Sequence, residues 1–134
     1  MKKNILIVDD HAPFREFLRA LLTRMPDVGQ IREAEGTDQA VEMARDDAPD
    51  MIFMDLGMDK DGFEALRIIH QTHPEVKIII LTVYAKNAFV EKALKLGAVG
   101  YLIKKDVNRE LAEAVESVFA GKKYISREVE RDPE

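Results

Sequence analysis

Five polar residues stand directly behind apolar runs in this 134-residue chain. Asp9 and Asp10 follow run 5–8, Asp55 follows 51–54, Thr82 follows 78–81, and Lys104 follows 99–103. Each of these types does chemistry when grouped. Carboxylates about 4 Å apart repel by a few kcal/mol at an effective dielectric near 20, so a cluster of aspartates calls for a cation. Either Lys104 or a hard divalent ion meets that need. Oxygen ligands without His or Cys point to magnesium, which takes one or two protein carboxylates, keeps waters and completes its shell with phosphate. A carboxylate, a magnesium site, a hydroxyl and a lysine together make a phosphoryl-transfer site, with Asp55 as the candidate nucleophile. Taken singly, an aspartate or threonine at a strand end is ordinarily a turn or cap residue, and a lysine a surface charge. Their shared position behind successive strands sets these apart.

The elements that must bring them together are legible as periodicity. Runs 5–8, 51–54 and 78–81 are continuous rather than alternating, as expected for strands covered on both faces. Run 30–34 alternates, which suits an edge strand, and 99–103 completes a set of five. Between them, Phe14, Phe17, Leu18, Leu21, Leu22 and Met25 form one helical stripe between Pro13 and Pro26. Thr37 is the expected N-cap of a second helix burying Ala40, Val41 and Ala44. Phe63, Leu66, Ile69 and His70 mark a third helix; Val90, Ala93 and Leu94 a fourth, stopped by Gly97; and Leu111, Ala114, Val115, Val118 and Phe119 a fifth, stopped by Gly121. The pattern predicts an α/β, doubly wound (βα)5 fold of flavodoxin-like type, with a five-stranded parallel sheet. The common strand order, 2-1-3-4-5, would set Asp10 and Asp55 facing each other where strand order reverses, flanked by Thr82 and Lys104. Residues 1–121 are the expected domain. Residues 122–134 lose the periodicity and read as a linker or charged tail.

Composition narrows the function classes. The chain is 46% apolar and 34% charged, which suits one globular domain and not a disordered or fibrous chain. A formal charge of −5 gives no nucleic-acid footprint to this segment. Zero cysteines exclude a disulfide framework and a thiolate zinc site. Neither a bilayer-spanning run nor a signal peptide is predicted, so the expected location is cytoplasmic, with no membrane partner. His11, His70 and His73 lack metal-ligand spacing.

Four motifs in order resemble the receiver domain of bacterial two-component response regulators over about residues 4–121. Ile5-Leu6-Ile7-Val8-Asp9-Asp10-His11 is similar to that family's first strand and acidic pair, and Pro49 to Met58 to its phosphoacceptor strand. Ile80-Leu81-Thr82 resembles the switch-hydroxyl strand, and Gly97 to Lys104 the segment with the switch aromatic and lysine. The resemblance implies that Asp55 takes a phosphoryl group from a sensor histidine kinase. It implies Mg2+ held by Asp10, Asp55 and the backbone carbonyl of Gly57, with Asp9 in support. Lys104 would pair with the phosphoryl group, and Thr82 would donate to it while Tyr101 rotates inward. That motion would switch the surface of the fourth helix, fifth strand and fifth helix. Tyr84 falls where the family tunes water access, and is expected to slow hydrolysis. Residues 100–106, Leu111 and 121–126 most resemble LuxR-type regulators, in which a linker leads to a helix-turn-helix domain. DNA contact would then come only through such a C-terminal domain, which this chain lacks. Dimerisation on phosphorylation follows by analogy only.

One departure bears on the site. The family's loop commonly reads Met-Pro, three residues, then Gly, whereas here Met58-Asp59-Lys60-Asp61-Gly62 has no proline and one residue fewer. The rival readings are a degenerate receiver that binds partners without phosphorylation, a solitary phosphorelay receiver, a flavodoxin and a haloacid-dehalogenase-like phosphatase. Asp9-Asp10 would repel a flavin phosphate, and adjacent aspartates are not the Asp-x-Asp nucleophile motif of the phosphatases.

Overall fold

The computed structural model describes residues 2–57 and 62–129, so the shortened loop at Met58 to Asp61 lies outside the described residues. The apolar runs form strands β1 (Lys3–Val8), β2 (Val28–Ala34), β3 (Met51–Met54), β4 (Lys77–Thr82) and β5 (Gly100–Ile103). Between and after them lie helices α1 (Ala12–Thr23), α2 (Thr37–Asp46), α3 (Gly62–Thr72), α4 (Asn87–Lys95) and α5 (Val107–Phe119). Thr37 is not the N-cap of α2: Gly36 holds that position in extended backbone, and Thr37 is the first helical residue and is buried. Both expected glycine stops occur. Gly97 has φ +115° and Gly121 φ +87°, values a side chain resists. At each, two bonds close the helix: Gly97 N–H to the Leu94 carbonyl and Ala98 N–H to Ala93, then Gly121 N–H to Val118 and Lys122 N–H to Ser117. This is the double-bonded termination that satisfies the last carbonyls of a helix.

The sheet has six strands, not the five expected. Tyr124–Ile125 forms β6, which pairs in parallel with β5, and the order is β2-β1-β3-β4-β5-β6. Without it β5 would be an edge with unpaired carbonyls. Instead Tyr124 N–H donates to the Val99 carbonyl at 3.1 Å, and Ser126 N–H to Tyr101 at 2.8 Å. The segment is also clasped to α5. The buried Glu110 carboxylate accepts the Tyr124 hydroxyl at 2.9 Å, the Ser126 hydroxyl at 2.6 Å and the Arg127 N–H at 3.1 Å. Val129 then packs into the core, 6% exposed. The stretch expected to begin a linker at Lys122 is folded onto the domain through Val129.

Burial, followed by the bond to Glu110, pushes the Tyr124 phenol up to about 12. Burial moves Tyr101 in the same direction. A phenol raised above its unfolded value of about 10 gives stability that is complete below that pH and lost as the pH climbs through the folded value. The melting temperature of the parent is therefore expected to fall faster between about pH 10 and 12 than that of Tyr124→Phe, which has no such proton to lose. Superimposable alkaline profiles would show that Tyr124 does not supply this dependence.

Side-chain alternation along each strand divides the core in two. Ile5, Ile7, Met51, Phe53, Ile79, Leu81 and Leu102 pack with α1 and α5. Leu6, Val8, Ile52, Met54, Ile78, Ile80, Tyr101 and Ile103 pack with α2, α3 and α4. The same parity carries past the strand ends. Asp9, Asp55 and Lys104 continue the rows facing α1 and α5, whereas Thr82 and Tyr101 belong to the rows facing α3 and α4.

Candidate functional site

Register places the acidic residues. Val8 pairs with Met54, so Asp9 and Asp55 emerge side by side from adjacent strands. Asp55 N–H donates to the Val8 carbonyl at 3.0 Å, and Asp9 N–H to Ala34 at 3.1 Å. Likewise Thr82 pairs with Ile103, which sets Lys104 one residue beyond at the same edge. The Lys104 ammonium bridges both acids, 2.6 Å from Asp9 Oδ2 and 3.3 Å from Asp55 Oδ2. Asp9 and Asp55 are buried, and Asp10 is exposed at the mouth. One carboxylate oxygen from each of the three lies within 4.8 Å of the others.

Each acid is held on several sides. Asp9 Oδ1 accepts the His11 N–H at 2.9 Å, and the buried Arg15 guanidinium donates to the Asp9 carbonyl at 2.7 Å while its Nε reaches Glu33 at 2.8 Å. Asp55 Oδ1 accepts the Gly57 N–H at 3.0 Å. Burial raises the Asp55 carboxyl above its usual range; Gly57 N–H and Lys104 pull it back and the Asp9 charge adds to the rise, leaving it raised. Gly62 meets the same turn from below, where a Cβ would stand 3.0 Å from the Asp55 carbonyl.

The hydroxyl and the aromatic occupy the other side of the sheet edge. Thr82 is fully buried, and its Oγ1 accepts the Tyr84 N–H at 3.3 Å. Tyr101 is also fully buried, already seated inward, with its hydroxyl donating to the Tyr84 carbonyl at 2.7 Å. The Tyr84 ring stacks on Phe89 with centroids 5.1 Å apart, and Phe89 stacks on Phe63 at 6.3 Å. The loop after β4 is thereby fastened to α4 and α3.

The fold thus unites Asp9, Asp55 and Lys104 by direct contacts, brings Asp10 within reach, and gathers Thr82, Tyr84 and Tyr101 into a second group. Arg15 and Phe14 are site residues that the sequence reading passed over. Phe14 was absorbed in the apolar stripe of α1, and Arg15 had no feature separating it from a surface charge. The Phe14 ring centroid lies 4.5 Å from the Lys104 ammonium.

An open, doubly wound parallel sheet with an acidic, lysine-backed pocket at its carboxyl edge defines a ligand site at the strand-order switch point. The model of the response regulator receiver domain family matches residues 5–116, and the chain belongs to that family. It is 38% identical to the transcriptional regulatory protein DegU of Brevibacillus brevis over 96% of this chain and 55% of that protein. It is 36% identical to the response regulator UvrY of Escherichia coli (strain K12) over 94% of this chain and 58% of that protein. The chain therefore spans a little over half the length of these relatives. A LuxR-family two-component response regulator from Aurantimonas sp. SI85-9A1 superposes with a TM-score of 0.90 at 35% identity, covering 96% of this chain and 93% of that one. The isolated receiver of RcsB from Salmonella enterica serovar Typhimurium, solved with the phosphomimetic BeF3−, gives 0.88 at 26% identity, covering 96% of each chain. Among the described residues, no helix is long and apolar enough to cross a membrane.

Proposed function

We propose that this receiver accepts a phosphoryl group on Asp55 from the phosphohistidine of a sensor kinase. The observation that carries this reading is the Lys104 ammonium bound to Asp9 and Asp55 at once, at the edge where three carboxylates meet. An Asp55 oxygen attacks phosphorus, the P–O bond forms as the P–N bond breaks, and the imidazole leaves with the electron pair. Lys104 then moves its charge from Asp55 to the phosphoryl oxygens. Thr82 donates its hydroxyl proton to one of those oxygens. Tyr101, held inward on the Tyr84 carbonyl, links that hydroxyl to the surface of α4, β5 and α5.

The donor set fits a hard divalent cation, since among the described residues three carboxylate oxygens converge with no sulfur or imidazole in the group. Asp10, Asp55 and the Gly57 carbonyl would hold Mg2+, with Asp9 supporting. Bound there, the ion supplies charge neutralisation at the transferring group. The downstream consequences belong to the same proposal: homodimerisation on phosphorylation, and control of transcription through a DNA-binding domain outside this chain. A cytoplasmic location follows from the kinase partner.

Incubation with acetyl phosphate and Mg2+, followed by intact mass, is expected to add one phosphoryl group to the parent and none to Asp55→Asn. An unmodified parent under donor excess overturns the reading. Tyr84 is proposed to restrict water at the acyl phosphate; Tyr84→Asn is expected to shorten the phosphoryl lifetime several-fold, and an unchanged lifetime removes that role. The inward Tyr101 favours one second reading, a module that binds partners without phosphorylation. Mg2+-dependent binding of beryllofluoride supports phosphoacceptance, and its absence supports the second reading.

A further inference from the structure

We propose that Phe14 is a positioning residue for the phosphoryl transfer described above, acting through Lys104; the inference rests on that reading. Lys104 has three N–H donors. Two point to carboxylates, Asp9 at 2.6 Å and Asp55 at 3.3 Å, and the ammonium also lies over the Phe14 ring, 4.5 Å from its centroid. An ammonium at this distance is attracted by the negative face of the ring. Lys104 is largely buried, its side chain 17% exposed, so the attraction acts where water screens little.

The ring does something that a third carboxylate could not. In the proposed reaction the ammonium must leave Asp55 and follow the phosphoryl oxygens without leaving the site. Lys104 stands closer to Asp9 than to Asp55, so the bond it must exchange is the longer of the two. A neutral aromatic face holds the cation in the pocket without competing for its protons and without ligating a metal. Phe14 thus keeps Lys104 within the site while leaving it free to exchange partners.

Phe14 is itself fixed for this task. It sits in the first turn of α1, three residues after His11, whose N–H is bonded to Asp9 Oδ1. Its ring is partly buried against the cluster shared by α1 and α5, and Phe17 braces it with centroids 6.1 Å apart. The next residue, Arg15, grips the Asp9 carbonyl. Consecutive residues of one helical turn therefore hold Lys104 and Asp9.

The test uses the full chain, acetyl phosphate as donor and intact mass as readout, comparing the parent with Phe14→Leu, Phe14→Tyr and the parent carrying trifluorophenylalanine at position 14. Phe14→Leu is expected to lower the donor-saturated rate about 3- to 10-fold, and Phe14→Tyr, which keeps the face, to restore most of it. The fluorinated ring keeps its packing and loses its negative face, so its rate should fall with that of Phe14→Leu. Half-saturating Mg2+ should stay within about twofold throughout, because Phe14 touches the lysine and not the proposed ligands. Rates equal to the parent in both Phe14→Leu and the fluorinated protein overturn the inference while leaving phosphoacceptance standing. A fluorinated protein as fast as the parent beside a slow Phe14→Leu reduces Phe14 to packing and likewise overturns it. A parent that takes no phosphoryl group overturns both.

Discussion

Lys104→Met is expected to destabilise the fold by about 2–3 kcal/mol near neutral pH, and by far less in acid. The lysine is the direct counter-ion of Asp9 and Asp55, whose side chains are 3% and 10% exposed. Removing it leaves two buried negative charges facing each other. The fold relieves this by protonating a carboxyl, and Asp55 is the one already raised by burial. Loss of Lys104 raises it further, because the ammonium is among the groups that hold it down. A carboxyl whose folded value exceeds its unfolded value of about 4 contributes stability that is complete below that pH and disappears as the pH rises through the folded value. The gap between parent and variant should therefore be small near pH 4 and widen toward neutrality. Urea denaturation across that range measures it directly, and parallel curves would show that the lysine does not neutralise the pair. Mg2+ should narrow the gap at neutral pH by supplying the missing charge. On the proposed reading, phosphorylation of the variant should be on the order of 100-fold slower, since the charge that would meet the transferring group is gone.

The second large effect is expected from Glu110→Ala, at about 3–5 kcal/mol. Glu110 is 5% exposed and accepts from Tyr124, Ser126 and Arg127. Truncation strands three donors, two of them fully or nearly buried, and a buried donor without an acceptor costs about 1–3 kcal/mol. The damage should be local first. Ser126 N–H, bonded to the Tyr101 carbonyl, should exchange with solvent far faster, and protease should reach Lys122 and Lys123 before the rest of the chain. Glu110→Gln, which keeps one acceptor oxygen, should fall between. If the Ser126 amide stays as protected in Glu110→Ala as in the parent, the clasp is not what holds β6.

The sequence displayed the carboxyl edge of the sheet almost completely, for a physical reason. Strands buried on both faces must be continuous apolar runs, so a polar residue at the end of one is conspicuous, and Asp9, Asp55, Thr82 and Lys104 are each visible this way. Gly97 and Gly121 announced the ends of α4 and α5 because only glycine takes their positive φ cheaply. What stayed hidden depended on contacts between distant segments. Tyr124-Ile125 is too short to signal a strand, and its place is settled by a carboxylate 14 residues earlier. Phe14 looked like one more member of an apolar stripe, and nothing local reveals that its ring meets an ammonium 90 positions later. The inward seat of Tyr101 depends likewise on a carbonyl in another loop.

The alternation that sends Asp9, Asp55 and Lys104 toward α1 and α5, and Thr82 and Tyr101 toward α3 and α4, has a consequence for how such a protein can change. On the proposed reading, substitutions on the α1 flank, at Phe14 or Arg15, are expected to change how quickly Asp55 takes a phosphoryl group, through Lys104 and Asp9 and not through the α4 flank. Substitutions at Phe63 or Phe89 are expected instead to act on read-out, through the ring stack that fastens the loop after β4. On that reading, speed and message are adjustable on opposite sides of one wall a single strand thick.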